Sequence, residues 1–294
     1  METLKLFFLA VCFACVAADT EFERFFDWPD NETVKDDATP MTRIVGGRAA
    51  FDGQFPYQVS LRKWMSYDHY CGAAILNSRF ILTAAHCTRG QYSQASSLYA
   101  VVGWTGQGAK GKAYTLEEIT PHPAFDISIF SNDISLIRTH QEIQFSSQVW
   151  PINLPFSNTE SNAPVVIAGW GLPSGDPGHT LSPILNYLQL RTLDLSTCIR
   201  RFEGKNLKAN LNDAVICTTS TYTSGMGTCM GDSGGPLVDI SDPNNKVLAG
   251  VVSWGVPCAR GFPDVFTRVH SHLYWILSQM SQQVPGSVKY IYYD

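Results

Sequence analysis

Apolar and polar positions alternate in short runs over most of the chain. Phe80–Ala84, Tyr99–Trp104, Ile134–Ile137, Val165–Trp170 and Val247–Trp254 are compact apolar runs, and Gly, Pro, Asn and Ser fill the gaps between them. Runs of that length and content predict β-strands. One stretch follows a different period. Leu273, Ile276, Leu277 and Met280 fall at i, i+3, i+4 and i+7, which places them on one face of a helix, with Ser271 positioned to cap it. Many short strands with one terminal helix predict an all-β chain built as barrels or sandwiches.

The ends read differently. Residues 1–18 have the form of a secretory signal: Lys5, an apolar run from Leu6 to Val16, and the small residues Val16-Ala17-Ala18 for cleavage. The run is shorter than the roughly 20 residues a bilayer needs, so a membrane anchor is not expected. Residues 19–43 carry eight acids against three bases, whereas residues 44–294 carry 17 of each sign. All the net charge of the secreted chain therefore lies in one acidic segment. A neutral body without a basic stripe excludes nucleic acid as the expected partner. The acidic segment ends at Arg43, just before Ile44-Val45-Gly46-Gly47, where a trypsin-like protease could cut; the plain alternative is a disordered acidic tail. Asn31-Glu32-Thr33 within it is a glycosylation sequon. The body is assigned to residues 44–280, and residues 281–294 form an unplaced tail. Cys12 and Cys15 leave with the signal. The remaining Cys71, Cys87, Cys198, Cys217, Cys229 and Cys258 are an even set, which suggests three disulfides whose pairing spacing alone leaves open.

The chemistry concentrates in three places. Gly231-Asp232-Ser233-Gly234-Gly235 sets a serine between glycines, where backbone N–H groups can crowd a hydroxyl, as an acyl-transfer nucleophile requires. The same residues fit the G-x-S-x-G elbow of α/β-hydrolases, which would make a secreted esterase. That fold places its acid and histidine after the serine, and too little chain follows Ser233 for both. Leu82-Thr83-Ala84-Ala85-His86-Cys87 ends an apolar strand on a histidine beside a cysteine. Asn132-Asp133-Ile134 leads a carboxylate into another apolar run. His270 and His272 could suggest a metal, but i and i+2 point apart on a helix and no HExxH is present, so no metal or other cofactor is expected.

Together with Gly169-Trp170-Gly171 and Ser253-Trp254-Gly255, these segments resemble, in order, those of the chymotrypsin-like serine endopeptidases over roughly residues 44–280. The resemblance implies two six-stranded antiparallel β-barrels with the site between them, and a C-terminal helix. It implies disulfides Cys71–Cys87, Cys198–Cys217 and Cys229–Cys258, and a triad of His86, Asp133 and Ser233 with Gly231 and Ser233 as the oxyanion hole. It also implies that the amine freed at Ile44 by a cut after Arg43 pairs with Asp232. The specificity pocket would be formed by Gly227, Thr228, Ser253, Trp254 and Gly255. Gly227 stands where trypsin-like members carry an aspartate, and Asp264 stands where the family usually has glycine. That exchange resembles the brachyurins, the serine collagenases of arthropods. An off-axis carboxylate can meet a cationic P1 side chain while leaving space for an apolar one, so broad P1 acceptance is expected, with Asp and Glu repelled. No acid falls within Trp104–Tyr114, and Glu117 and Glu118 come late, so no calcium requirement is expected.

The sequence thus predicts a secreted, monomeric serine endopeptidase zymogen of digestive or collagen-degrading type. Its partners would be protein or peptide substrates, an activating protease and protein inhibitors. A strictly apolar P1 preference, and a catalytically idle interaction protein, are the alternatives beside the esterase.

Overall fold

The computed structural model describes residues 47–108, 110–172, 180–203, 210–220, 227–256 and 261–283. After β1 (Arg48–Ala49) come β2 (Gln58–Lys63), β3 (His69–Ile75), β4 (Phe80–Thr83), β5 (Leu98–Val102), β6 (Lys112–Pro121) and β7 (Ser135–Thr139). They pair antiparallel in the closed order β2-β3-β4-β7-β6-β5. Closure leaves this sheet no open edge, which a stack of short, strongly apolar strands needs. Then β8 (Pro164–Gly169), β9 (Asn186–Leu193), β10 (Val215–Ser220), β11 (Pro236–Asp239), β12 (Val247–Trp254) and β13 (Asp264–Arg268) form a second antiparallel ring, with β1 laid along β9.

The predicted strands are β4, β5, β7, β8 and β12, the first four shifted by one or two residues at their ends. Alternation sets the registers. In β9 every second residue from Asn186 to Thr192 is buried and those between are half-exposed. Val59, Leu61, Ile75, Ile81 and Ile137 fill the first barrel, and Val165, Leu237 and Phe266 the second. Full burial of a side chain such as Phe266 stabilises by about 2–3 kcal/mol.

Among the described residues, two α-helices complete the body. Leu195–Phe202 was not expected, although Leu195, Cys198, Ile199 and Phe202 stand at helical spacing. Asp194 caps it by accepting from the Thr197 N–H at 2.8 Å, and Cys198 ties it to Cys217 on β10. The terminal helix, Leu273–Gln283, follows a 3₁₀ turn at His270–His272. Ser271 is therefore not its cap: the chain is already helical there, and the Ser271 hydroxyl donates to the Asp213 carbonyl at 3.2 Å. Ile276 and Val269, fully buried, share a core with the first barrel, so the chain leaving β13 returns across the molecule.

Candidate active site

His86 and Asp133 meet because β4 and β7 are paired. Thr83 lies opposite Ser135, so the residues just beyond those ends, His86 in the 3₁₀ turn Ala85–Thr88 and Asp133 before β7, face each other. The turn is fixed by the Cys71–Cys87 disulfide to β3 and by Thr88 Oγ1 donating to Ser135 Oγ at 2.9 Å. Asp133 is completely buried. Its Oδ1 accepts from the His86 backbone N–H at 2.8 Å, and its Oδ2 from His86 Nδ1 at 2.7 Å. Because Nδ1 holds the proton in that bond, Nε2 of the neutral ring keeps its lone pair. Two residues of the second barrel complete the acid's shell: Ser253 Oγ donates to Oδ2 at 2.6 Å, and Thr267 Oγ1 to the Asp133 carbonyl at 2.8 Å. Ser253 is the extra residue of a β-bulge, between the Val252–Phe266 and Trp254–Val265 pairs, and the bulge frees its side chain to turn toward Asp133. Its hydroxyl is thus committed to the acid rather than to the pocket the sequence assigned it.

Ser233 is held from the first barrel. Its carbonyl accepts from the Gly72 N–H at 2.8 Å, one residue from Cys71 and hence from the disulfide that leads to His86. Gly234 has φ +75°, and a Cβ there would collide with Thr83 and the Gly72 carbonyl, so glycine alone lets the serine loop approach so closely. Gly231 has φ +101°, and its carbonyl accepts from His69 Nε2 at 2.8 Å. The other nitrogen of His69 meets Ser60 Oγ at 2.8 Å, and burial pushes this imidazole down to about 4, so it stays neutral at neutral pH. Neither His69 nor Thr267 was picked out from the sequence, because each is recognised only by a partner far along the chain.

Two more acids lie on this wall. Asp232, 3% exposed, accepts from the Gly171 N–H at 2.8 Å and the Cys229 N–H at 3.0 Å, in a slot lined by Gly169 and Gly171 where any Cβ would strike the carboxylate. Burial pushes it up to about 7, against the pull of those N–H groups. Asp264, 6% exposed, accepts from the Thr228 N–H at 2.7 Å, and Cβ atoms built on Gly227 or Gly255 would press against it. Burial raises it to about 6. The structure therefore brings Gly227, Thr228, Gly255 and Asp264 together. Trp254 packs its ring on Phe202, with centroids 5.5 Å apart.

Cys229 is disulfide-bonded, while Cys258, Asn31, Arg43 and Ile44 lie outside the described residues. Cys71, His86 and Cys87 come within ligand distance of one another, but the two sulfurs are joined and offer no thiolate to a metal. Glu117 pairs with Arg79 and Arg138, and Glu118 with Arg138.

Comparison with known proteins agrees with this geometry. The trypsin family model matches residues 44–276. Chymotrypsin-2 of Vespa crabro is 40% identical over 237 residues, spanning 79% of this chain and 98% of that protein. Trypsin-1 of Astacus astacus is 35% identical over 241 residues, with the same shares. Trypsin delta of Drosophila erecta is 34% identical over 236 residues, covering 80% of this chain and 87% of its own length. With the fold, the three converging segments and these relatives in hand, the chain belongs to the trypsin family and is a serine endopeptidase.

Proposed function

We propose that the protein is a secreted zymogen whose cleavage after Arg43 yields an endopeptidase of broad P1 preference working through Ser233, His86 and Asp133. The observation that carries the reading is the 2.7 Å bond from His86 Nδ1 to the buried Asp133 carboxylate, because it fixes which ring nitrogen is free to act as base. Ser233 Oγ attacks the scissile carbonyl as its proton passes to His86 Nε2. Asp133 stabilises the imidazolium so formed, and the backbone N–H groups of Gly231 and Ser233 receive the oxyanion, worth about 3–4 kcal/mol per donor. Collapse expels the amine, which takes the proton from Nε2. Water then repeats the sequence on the acyl-enzyme.

Relatives named both chymotrypsin and trypsin leave the pocket to decide specificity. With Gly227 at its base and Asp264 on the wall, the pocket would present a carboxylate to one side of the space that Gly227 and Gly255 leave open. An ionised Asp264 meets Arg or Lys. Its raised value, about 6, means that the group also accepts a proton readily and then tolerates Leu, Phe or Tyr. Asp232 would receive the new Ile44 ammonium after cleavage. The leader at residues 1–18 supports export, and among the described residues no helix is long and apolar enough to cross a membrane. Digestion of mixed protein suits such a pocket.

The test is kcat/KM on peptides differing only at P1, before and after a verified cut at Arg43, with Ser233→Ala as the blank. Turnover of both Arg and Phe substrates, absent before the cut, is expected. Phe turnover with Arg inert would leave a chymotrypsin-type enzyme, and Arg and Asp substrates turned over alike would remove the proposed role of Asp264.

A further inference from the structure

Against Asn132, the residue before Asp133, lies a second histidine site. His272, 4% exposed, has Nδ1 2.8 Å from the Arg268 carbonyl and Nε2 3.2 Å from Asn132 Oδ1. The orientation of the Asn132 amide is set by its own nitrogen, which donates to the Ala124 carbonyl at 2.9 Å. Both nitrogens of His272 therefore face oxygens that only accept. A neutral imidazole has one N–H and satisfies one of them; an imidazolium satisfies both.

Asn132 directly precedes Asp133 and sits at φ +50°, a left-handed conformation that asparagine tolerates only at some cost and that neighbours must hold. Its carbonyl also accepts from the Ile134 N–H at 2.8 Å, so the backbone pivots tightly around the acid. The direction in which Asp133 leaves this turn sets its reach to His86.

We infer that His272 is a positioning residue for the endopeptidase: by donating through both ring nitrogens it pins Asn132, and through Asn132 the Asp133 carboxylate, with the hold complete only in the doubly protonated ring. This rests on the assignment of Asp133 as the triad acid. The groups facing His272 determine how readily it takes the second proton. His122 stands edge-on with ring centroids 5.4 Å apart, and burial first, then the charge of His272, holds it below the ordinary imidazole value. Arg268 turns its guanidinium away to the carbonyls of Asp213 and Val215. Asp133 is one residue beyond Asn132. Burial first, and the bond to Arg268 O in the opposite sense, leave His272 below the ordinary imidazole value. The second proton is thus held on the acid side and lost as pH rises. The longer bond, to Asn132, then lapses.

The experiment compares the full chain, cut at Arg43, with its His272→Gln and His272→Phe variants, measuring kcat and KM from pH 5 to 8. Glutamine places an N–H where Nε2 lies and does not titrate; phenylalanine offers none. The Phe variant is expected to have kcat about tenfold below the Gln variant throughout, with KM unchanged, since small misplacement of a catalytic group costs rate rather than binding. The wild-type rate relative to the Gln variant is expected to fall several-fold as pH rises. Coincident Gln and Phe variants, or a wild-type-to-Gln ratio flat with pH, overturn the inference, and the ratio alone decides if the Phe variant does not fold. Asp133→Asn, run alongside, separates the two failures: if it retains full kcat, the assignment of Asp133 is wrong, whereas if it is inactive, only the role of His272 is.

Discussion

The two walls of the cleft are built on opposite plans. At the His86–Asp133 corner a buried acid is met by donors on every side: the histidine backbone and ring, Ser253 and Thr267. On the Ser233 wall two buried acids, Asp232 and Asp264, accept, among the described residues, from neighbouring backbone N–H groups and are lined by glycines. Among the described residues neither forms an ion pair. Burial pushes their proton affinities up, to about 7 for Asp232 and about 6 for Asp264. A carboxylate whose donors are complete serves as a fixed part; one buried without a cation is poised to receive a charge from elsewhere. On the reading proposed above, the first corner is finished by folding alone, while the second would be finished by the amine released at Ile44 and by a cationic substrate side chain.

The sharpest way to break the contrast is at the finished corner. Asp133→Asn keeps the shape but reverses the donor on Oδ2, and kcat on any peptide is expected to fall about 10⁴-fold. A loss under tenfold would mean that this acid does not set the tautomer of His86. Next in size comes the pocket. Asp264→Asn is expected to reduce kcat/KM for P1 Arg by about 10- to 100-fold, the worth of a charged hydrogen bond, and to leave P1 Phe nearly unchanged. In the unaltered enzyme the Arg-to-Phe ratio should decline as pH drops through about 6, because Asp264 is then protonated and neutral. A ratio constant from pH 5 to 8 would place that carboxylate outside the substrate's reach. The smallest effect concerns stability. Asp232 in the folded chain holds its proton more tightly than an unfolded aspartate, so the uncut protein binds more protons folded than unfolded between about pH 4 and 7, and its melting temperature should fall as pH rises across that window. Cutting after Arg43 supplies a cation, lowers the value and should flatten the slope by a few degrees. Identical slopes for cut and uncut Ser233→Ala protein would show that Asp232 does not take up the new terminus.

What the sequence discloses follows the range of the interactions. Strands such as Val247–Trp254 are written in contiguous apolar residues and appear where expected. His86, Asp133 and Ser233 stand in local motifs, and the Gly227–Asp264 exchange was legible by position. Less legible was the helix Leu195–Phe202, since its apolar stripe, though at helical spacing, runs for only 8 residues. Ser271 looked like a cap because capping chemistry is local, yet its hydroxyl is claimed by Asp213, nearly sixty residues earlier in the chain. Ser60, His69 and Thr267 carried no signal, since alternation explains a polar residue on a strand equally well whether it faces solvent or a partner across the fold.

The two hydroxyls from β12 and β13 that hold Asp133 have a further consequence, for biosynthesis. The acid and His86 belong to the half of the chain made first, and these two hydroxyls to the half made last. A nascent chain with only the first barrel folded has His86 and Asp133 but neither Ser233 nor the two hydroxyls that complete the acid's shell. On the proposed roles of Ser233, His86 and Asp133, proteolytic competence arises only when both barrels have docked, so the order of synthesis itself delays activity in the cell that makes the enzyme.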